Sequence, residues 1–345
     1  MNTSSSSKGI YDLNFNQCTL VHHLDSQLAI TSTGRTIKAY TTPDTCKKIR
    51  LPFKFPRDLS LGIRYLERFL RADKCLAVPH GDAIIIIRGG TVYLLKDKLE
   101  TLGEIKGDCP LHASSSIGQS GSLYFGEYFM NPQREPVKIF KINHQTNKLS
   151  VAHSFAAGEI RHVHGIYRDP YLPNHLWITV GDNDGECYLY WTDDEFVHLS
   201  RIGDGTQIWR AVGLLFTADK IIWGTDSPHQ PNHFVALDRK TQKLEIRQPV
   251  DGTIWYAGKT NDGTFFASSS VEKGPGVTTN QARVYTSRDG IHWENKISFT
   301  KDCLPMPLFK WGTISFPSGS FPSNRIWISG EALQGLDGTS QLLPS

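Results

Sequence analysis

The sequence predicts an all-β fold, a single closed β-propeller with seven blades, six being the alternative. Three observations predict it. First, a short phrase recurs in which an apolar run stops at a Gly and an acid follows. Its copies are Leu123-Tyr124-Phe125-Gly126-Glu127, Leu176-Trp177-Ile178-Thr179-Val180-Gly181-Asp182, Ile221-Ile222-Trp223-Gly224-Thr225-Asp226 and Ile326-Trp327-Ile328-Ser329-Gly330-Glu331. Weaker relatives are 83–89, which lacks the acid, and 264–270, which ends in serines. Second, the copies stand roughly 45–55 residues apart, the period of a propeller blade. Third, a pair of alternating segments joined by a tight polar turn follows most copies. A β-rich unit of this size cannot bury its apolar face alone, so neighbouring units must stack.

The elements follow in chain order. Residues 1–8 form a polar serine run without an apolar core, read as a disordered tail rather than a signal peptide. The propeller is expected over 9–345. Residues 28–33 supply the first B strand. Residues 59–71 carry apolar side chains at helical spacing and predict a short helix before blade two. Hairpins are expected where 91–95, 137–142 and 234–237 turn into 99–105, 149–155 and 244–246. These are the outer strands, C and D. Inner strands, A, are expected at 160–165, 208–213, 254–258 and, divergently, 309–312. The loop 271–281 contains Gly274-Pro275-Gly276 and is expected to move. The last unit, 309–343, lacks an outer strand that 10–15 could supply. Both termini would then share one blade, and the ring would have no free sheet edge.

Composition narrows the function. The net charge is +3 with no basic block, so nucleic-acid binding has no electrostatic footprint. No apolar run approaches membrane-spanning length. The six cysteines are scattered without a CxxC, which argues against a disulfide framework or zinc knuckle and for free thiols. A soluble cytoplasmic protein is expected.

Propeller topology sends the start of each A strand and the end of each B strand to one face of the ring. Arg161, His162, His164, Trp209, Arg210, Trp255, Tyr256, Lys310 and Trp311 stand at A-strand starts. Glu127, Tyr128, Asp182, Asp226 and Glu331 stand at or just after B-strand ends, and His229 lies in a following loop. All are expected to ring one mouth. His162 and His164, two apart on a strand, point the same way and can hold a divalent metal with Glu127 or Asp226 as carboxylate ligand. They can equally supply a general base and its orienting partner, or simply pack. Each acid can instead cap its own turn. The mouth tryptophans can stack on sugar faces or pack between blades.

Ser287-Arg288-Asp289-Gly290-Ile291-His292-Trp293 resembles the Asp-box of sialidase-type (BNR-repeat) propellers, with one residue fewer before the Trp. Tyr190-Trp191-Thr192-Asp193-Asp194-Glu195-Phe196 is similar, with Phe196 in the Trp position. The resemblance implies the propeller fold, an Asp that ties its turn and an aromatic that plugs the gap between blades. The sialidase arginine motif, Arg-Ile-Pro, does not occur here, so the resemblance does not extend to that active site. The plan is also similar to oligogalacturonate lyase, a propeller with a histidine-bound metal at its mouth.

Two classes of function remain. One is a carbohydrate-active enzyme, a glycosidase or a lyase. A hydrolase would use Glu127 and Asp226 across the sugar. A lyase would neutralise an acidic sugar with Arg161 or a metal and take a proton with His164 or Tyr256. Arg161, Arg210, Trp209, Trp255, Trp311, Asp182 and His229 would bind substrate in either case. The other class is a non-catalytic propeller whose mouth binds a protein or glycan.

Overall fold

The computed structural model describes residues 9–344. The expected disordered tail, 1–8, lies outside the described residues. Seven antiparallel sheets succeed one another along the chain, each an up-and-down meander. Blade 1 is Leu20–Leu24, Ala29–Thr33, Thr36–Tyr40 and Cys46–Arg50; blade 2 runs from Leu76–His80 to Leu99–Glu104. Blades 3 to 6 place their B strands at Leu123–Gly126, Leu176–Val180, Lys220–Gly224 and Phe265–Ser270. Blade 7 has three strands, Thr313–Ser315, Trp327–Glu331 and Ser340–Leu342. Each B strand lies within its sheet and is covered by blades on both faces. It is therefore buried almost along its whole length, as in Ala83–Arg88 and Leu176–Val180. That explains the continuous apolar runs in the sequence. Outer strands such as Cys46–Arg50 are largely exposed.

The recurrent Gly has a steric cause. A Cβ on Gly126 would lie 2.4 Å from Val163 Cβ, and one on Gly224 would lie 2.4 Å from Ile254 Cβ. Val163 and Ile254 open the inner region of the next blade. The chain can cross there only where the B strand ends without a side chain.

The turn Ser287–Trp293 is tied from within. Asp289 accepts the amides of Ile291 and His292 at 2.8 and 2.9 Å, and Ser287 Oγ accepts the amide of Gly290. Trp293 is buried and stacks on Phe234 of blade 5 at 4.0 Å between ring centres, 5° from parallel. In the second turn Thr192 Oγ1 accepts the amide of Phe196, whose ring is buried against Tyr124 of blade 3.

Ring closure differs from the expectation. Residues Ile10–Asp12 form a 3-10 turn, closed by Asp12 accepting the amide of Gly9, and not an outer strand. The termini therefore enter adjacent blades. Contact between them is made by Ser318–Gly319, which pairs in parallel with His23 and Leu24. Phe15 packs on Trp327, and Ser340 Oγ donates to the carbonyl of Cys18. The predicted helix forms as a 3-10 turn, Arg57–Ser60, and an α-helix, Arg64–Leu70. It fastens the seam as well. Arg64 pairs with Asp73 and Asp337, and buried Arg68 pairs with Asp302 and donates to the carbonyl of Phe309.

Three A strands are displaced from their expected positions, and the one expected at 160–165 forms at Val163–Arg168. Residues expected as strand 208–213 begin with a 3-10 turn, Gln207–Trp209, and the strand follows at Leu215–Phe216. In blade 7, Met306–Phe309 is a helical turn and the strand begins at Thr313.

Candidate active site

His162 stands just before the inner strand of blade 4, Val163–Arg168, and His164 sits within it at a bulge. The register shifts there by one residue, which re-aims a side chain that simple alternation would place elsewhere. Trp255 occupies the matching bulge in blade 6, between Ile254 and Tyr256. These local irregularities build the site.

His162 Nδ1 lies 3.1 Å from the carbonyl of Phe129, and His164 Nδ1 lies 2.8 Å from the carbonyl of Ala211. A carbonyl only accepts, so each Nδ1 carries a proton. In the neutral ring each Nε2 then presents a lone pair, and with a second proton it donates to Asp182 instead. The two Nε2 atoms are 3.1 Å apart, and the Asp182 carboxylate stands 3.3 Å from His164 Nε2 and 3.4 Å from His162 Nε2. All three side chains are buried. Two lone pairs and a carboxylate cannot face one another alone; a proton or a metal cation must lie among them. A tetrahedral ion with metal–nitrogen bonds of about 2.0–2.1 Å sets its ligand atoms roughly 3.3–3.4 Å apart. The three side chains fit that seat.

Asp182 is also the hub of a charge network. Arg161 Nη1 lies 2.7 Å from it, and Arg210 Nη2 lies 2.9 Å from it. Burial pushes the Asp182 carboxyl up. His162, the bonds from both histidines and Arg210 outweigh that and hold it well below the usual carboxylate range. Arg210 Nε continues to Asp226 at 3.1 Å. Asp226 is buried and its second oxygen, Oδ1, has no partner. Burial, reinforced by the Glu272 charge, outweighs Arg210 and pushes its carboxyl up to about 7. Glu272 accepts from Thr253 Oγ1 at 2.6 Å and from the Trp255 indole at 2.8 Å. Burial raises its pKa too. Tyr128 covers the pair of histidines, its ring centre 4.2 Å from that of His162.

Beside His162 opens a mouth of about 340 Å³, whose wall also includes Tyr128, Phe129, Trp255, Lys310 and Trp311. It shares Tyr128 and Trp255 with an inner cavity of about 110 Å³ near the ring axis, where Tyr256 and His112 lie.

The structure thus brings together Arg161, His162, His164, Asp182, Arg210 and Asp226, with Trp255 and Trp311 in the mouth wall. It sets the other candidates apart. Glu127 is fully buried, and its two oxygens accept the amides of Lys106 and Lys138, each at 2.9 Å. It caps its own turn and joins blades 2 and 3. Trp209, carried on the 3-10 turn, packs on Trp223 inside the core between blades rather than at the mouth. Tyr256 lines the inner cavity, not the mouth. The backbone around His229 is pinned by Ser227 Oγ, and His229 does not line the mouth. Two participants escaped the sequence reading. Tyr128 was placed at the mouth but given no role. Glu272 was missed because its B strand ends in Ser268-Ser269-Ser270, without the Gly, and the acid comes two residues later.

The raised carboxyl of Asp226 has a consequence for stability. Between about pH 4, where the unfolded chain loses this proton, and about 7, the folded protein keeps it. The folded state then binds more protons, so stability falls as pH rises through this window. In metal-stripped protein, Asp226→Asn should remove that part of the fall. Urea midpoints measured from pH 4.5 to 8 check it, and parallel curves for parent and variant would refute the assignment.

No family model matches the chain, and no curated protein matches it. Solved structures do. A chain of the mitotic checkpoint complex is 9% identical, with a TM-score of 0.54 over 100% of this chain and 93% of that one. The extracellular domain of a one-component system from B. thetaiotaomicron is 11% identical, with a TM-score of 0.54 over 99% of this chain and 40% of that one. A GH74 enzyme from Niastella koreensis is 12% identical, with a TM-score of 0.50 over 84% of this chain and 46% of that one. The chain therefore spans less than half the length of the last two. At these identities the likeness shows the propeller fold alone.

Proposed function

We propose that the protein binds a carbohydrate at the central mouth and cleaves it by proton transfer at the buried cluster. The observation that supports this reading is the convergence of His162, His164, Asp182, Arg210, Asp226 and Glu272 in one buried network that meets an aromatic-walled mouth through His162 and Trp255. Trp255 and Trp311 offer flat faces for a sugar ring. Trp255 also bonds Glu272, so the stacking face and the acid are held in one piece. Asp226 has a free oxygen and a carboxyl near neutrality, the properties of a general acid or base at pH 7. Arg161 and Arg210 balance the acids. His162, His164 and Asp182 would hold a divalent cation, and such an ion would supply positive charge to a sugar oxygen or carboxylate. Hydrolysis by Glu127 with Asp226 finds no support, because both Glu127 oxygens are tied to amides; elimination is favoured. The two Asp-like turns, 190–196 and 287–293, are read as degenerate boxes of a BNR-type propeller. The six unpaired cysteines fit a reducing cytoplasm.

One observation favours the second reading, a platform for a protein partner. The segment beside the mouth exposes Phe55, Leu59 and Tyr65, at 78%, 65% and 54%. One experiment separates the two. Purified protein is analysed for metal, then screened by thermal shift and reducing-end release against glycan and oligouronide panels, with and without added divalent ion. The enzyme reading expects one bound and cleaved sugar. If no sugar shifts the melting point and nothing is cleaved, the platform reading replaces it.

A further inference from the structure

Lys74 lies just before the inner strand of blade 2 and lines both the outer mouth and the inner cavity. Among the described residues, its Nζ has no hydrogen-bond or ion-pair partner. The acids nearby are already taken. Lys310 pairs with Asp73 and Glu331, Arg64 with Asp73 and Asp337, and Arg57 with Asp108. Burial pulls the Lys74 ammonium below its ordinary pKa, and the neighbouring Lys310 charge adds to this. The side chain is half-buried, with no carboxylate of the described residues within ion-pair distance. Lys310, Arg64 and Arg57 each have a carboxylate to offset them. An incoming anion would offset Lys74.

The rest of the wall shows what kind of anion. Tyr128 and Trp255 offer flat apolar faces, and Thr313 offers a hydroxyl. A ring with hydroxyls and one carboxylate matches all three chemistries. We propose that Lys74 is the recognition group for a carboxylate on the ligand, so that the mouth takes acidic sugars of the uronate class. This rests on the reading that the mouth binds carbohydrate and adds a charge requirement to it. A charge-assisted bond formed away from bulk water discriminates more strongly than a neutral one.

The probes are glucuronate and galacturonate, their neutral counterparts glucose and galactose, and inorganic phosphate. Calorimetry on the full chain compares the parent with Lys74→Met and Lys74→Arg. The parent should bind the uronates roughly ten- to a hundredfold more tightly than the neutral sugars. Lys74→Met should erase that preference, while Lys74→Arg keeps part of it. A second measurement needs no variant: labelling of Lys74 by an amine reagent should be blocked by glucuronate and not by glucose. Equal binding of acid and neutral sugars, or an acid preference that survives Lys74→Met, overturns this inference and leaves the carbohydrate reading intact. Phosphate binding that depends on Lys74, without uronate binding, overturns the carboxylate assignment. Absence of binding by every sugar removes the carbohydrate reading and this inference with it.

Discussion

His164→Ala should lower turnover about 10²–10⁴-fold, the range for loss of a positioned acid or base, and strip the purified protein of bound divalent metal. The geometry sets both effects. His164 Nε2 is 3.1 Å from His162 Nε2 and 3.3 Å from Asp182, so its removal leaves two ligand atoms where three converged. Loss of an outer partner alone costs about 10–100-fold in metal affinity; loss of a ligand should cost more. The fold should survive. His164 sits at a bulge, and its strand keeps its pairing with Leu176–Val180. Metal analysis, steady-state kinetics on the substrate found by screening and a cooperative melt check the three parts. Full turnover with the parent's metal content would exclude His164 from the chemistry. Loss of metal with turnover retained would leave the histidines a binding role only.

Trp293→Ala should cost about 3–5 kcal/mol of stability, as for other large aromatic-to-Ala core changes. The ring is buried and lies flat on Phe234 of the preceding blade, so truncation opens a void between two blades. The backbone of residue 293 is held on both sides by Gln248, at 3.0 Å each, and those bonds do not need the indole. The damage should therefore stay local, with metal content and mouth binding unchanged. Guanidinium unfolding reads the cost. A variant as stable as the parent would show that the ring does not wedge the blades together.

Much of the architecture was legible because its causes repeat. Burial of each B strand on both faces writes an apolar run, and the close approach of the next blade writes a Gly at its end. Gly126 and Gly224 meet Val163 and Ile254 in the same way. The hairpins 137–142/149–155 and 91–95/99–104 follow from alternation and polar turns. Closure was not legible. Residues 10–15 alternate well enough for a strand, yet Asp12 turns them into a 3-10 segment and the seam is fastened by Arg64 and Arg68.

The candidate site was legible as a face but not as a set. Glu127, Asp182, Asp226 and Glu331 hold like positions after their B strands, yet their neighbours differ. Glu127 is spent on two amides and Glu331 on Lys310, while Asp182 faces two histidines and two arginines. Trp209 and Trp255 likewise looked equivalent. One is turned into the core by a 3-10 turn, and the other is aimed at the mouth by a bulge.

The sequence by itself determined that this chain is a propeller, roughly where each blade begins, and which residue types crowd one end of the ring. Those features arise from burial and spacing within single blades, which local pattern records. Only the tertiary structure decided which groups meet: the Nε2 atoms of His162 and His164 with Asp182, Asp226 with an unpartnered oxygen, Lys74 without an acid. These pairings depend on bulges and on side chains arriving from neighbouring blades, and no local periodicity carries that information.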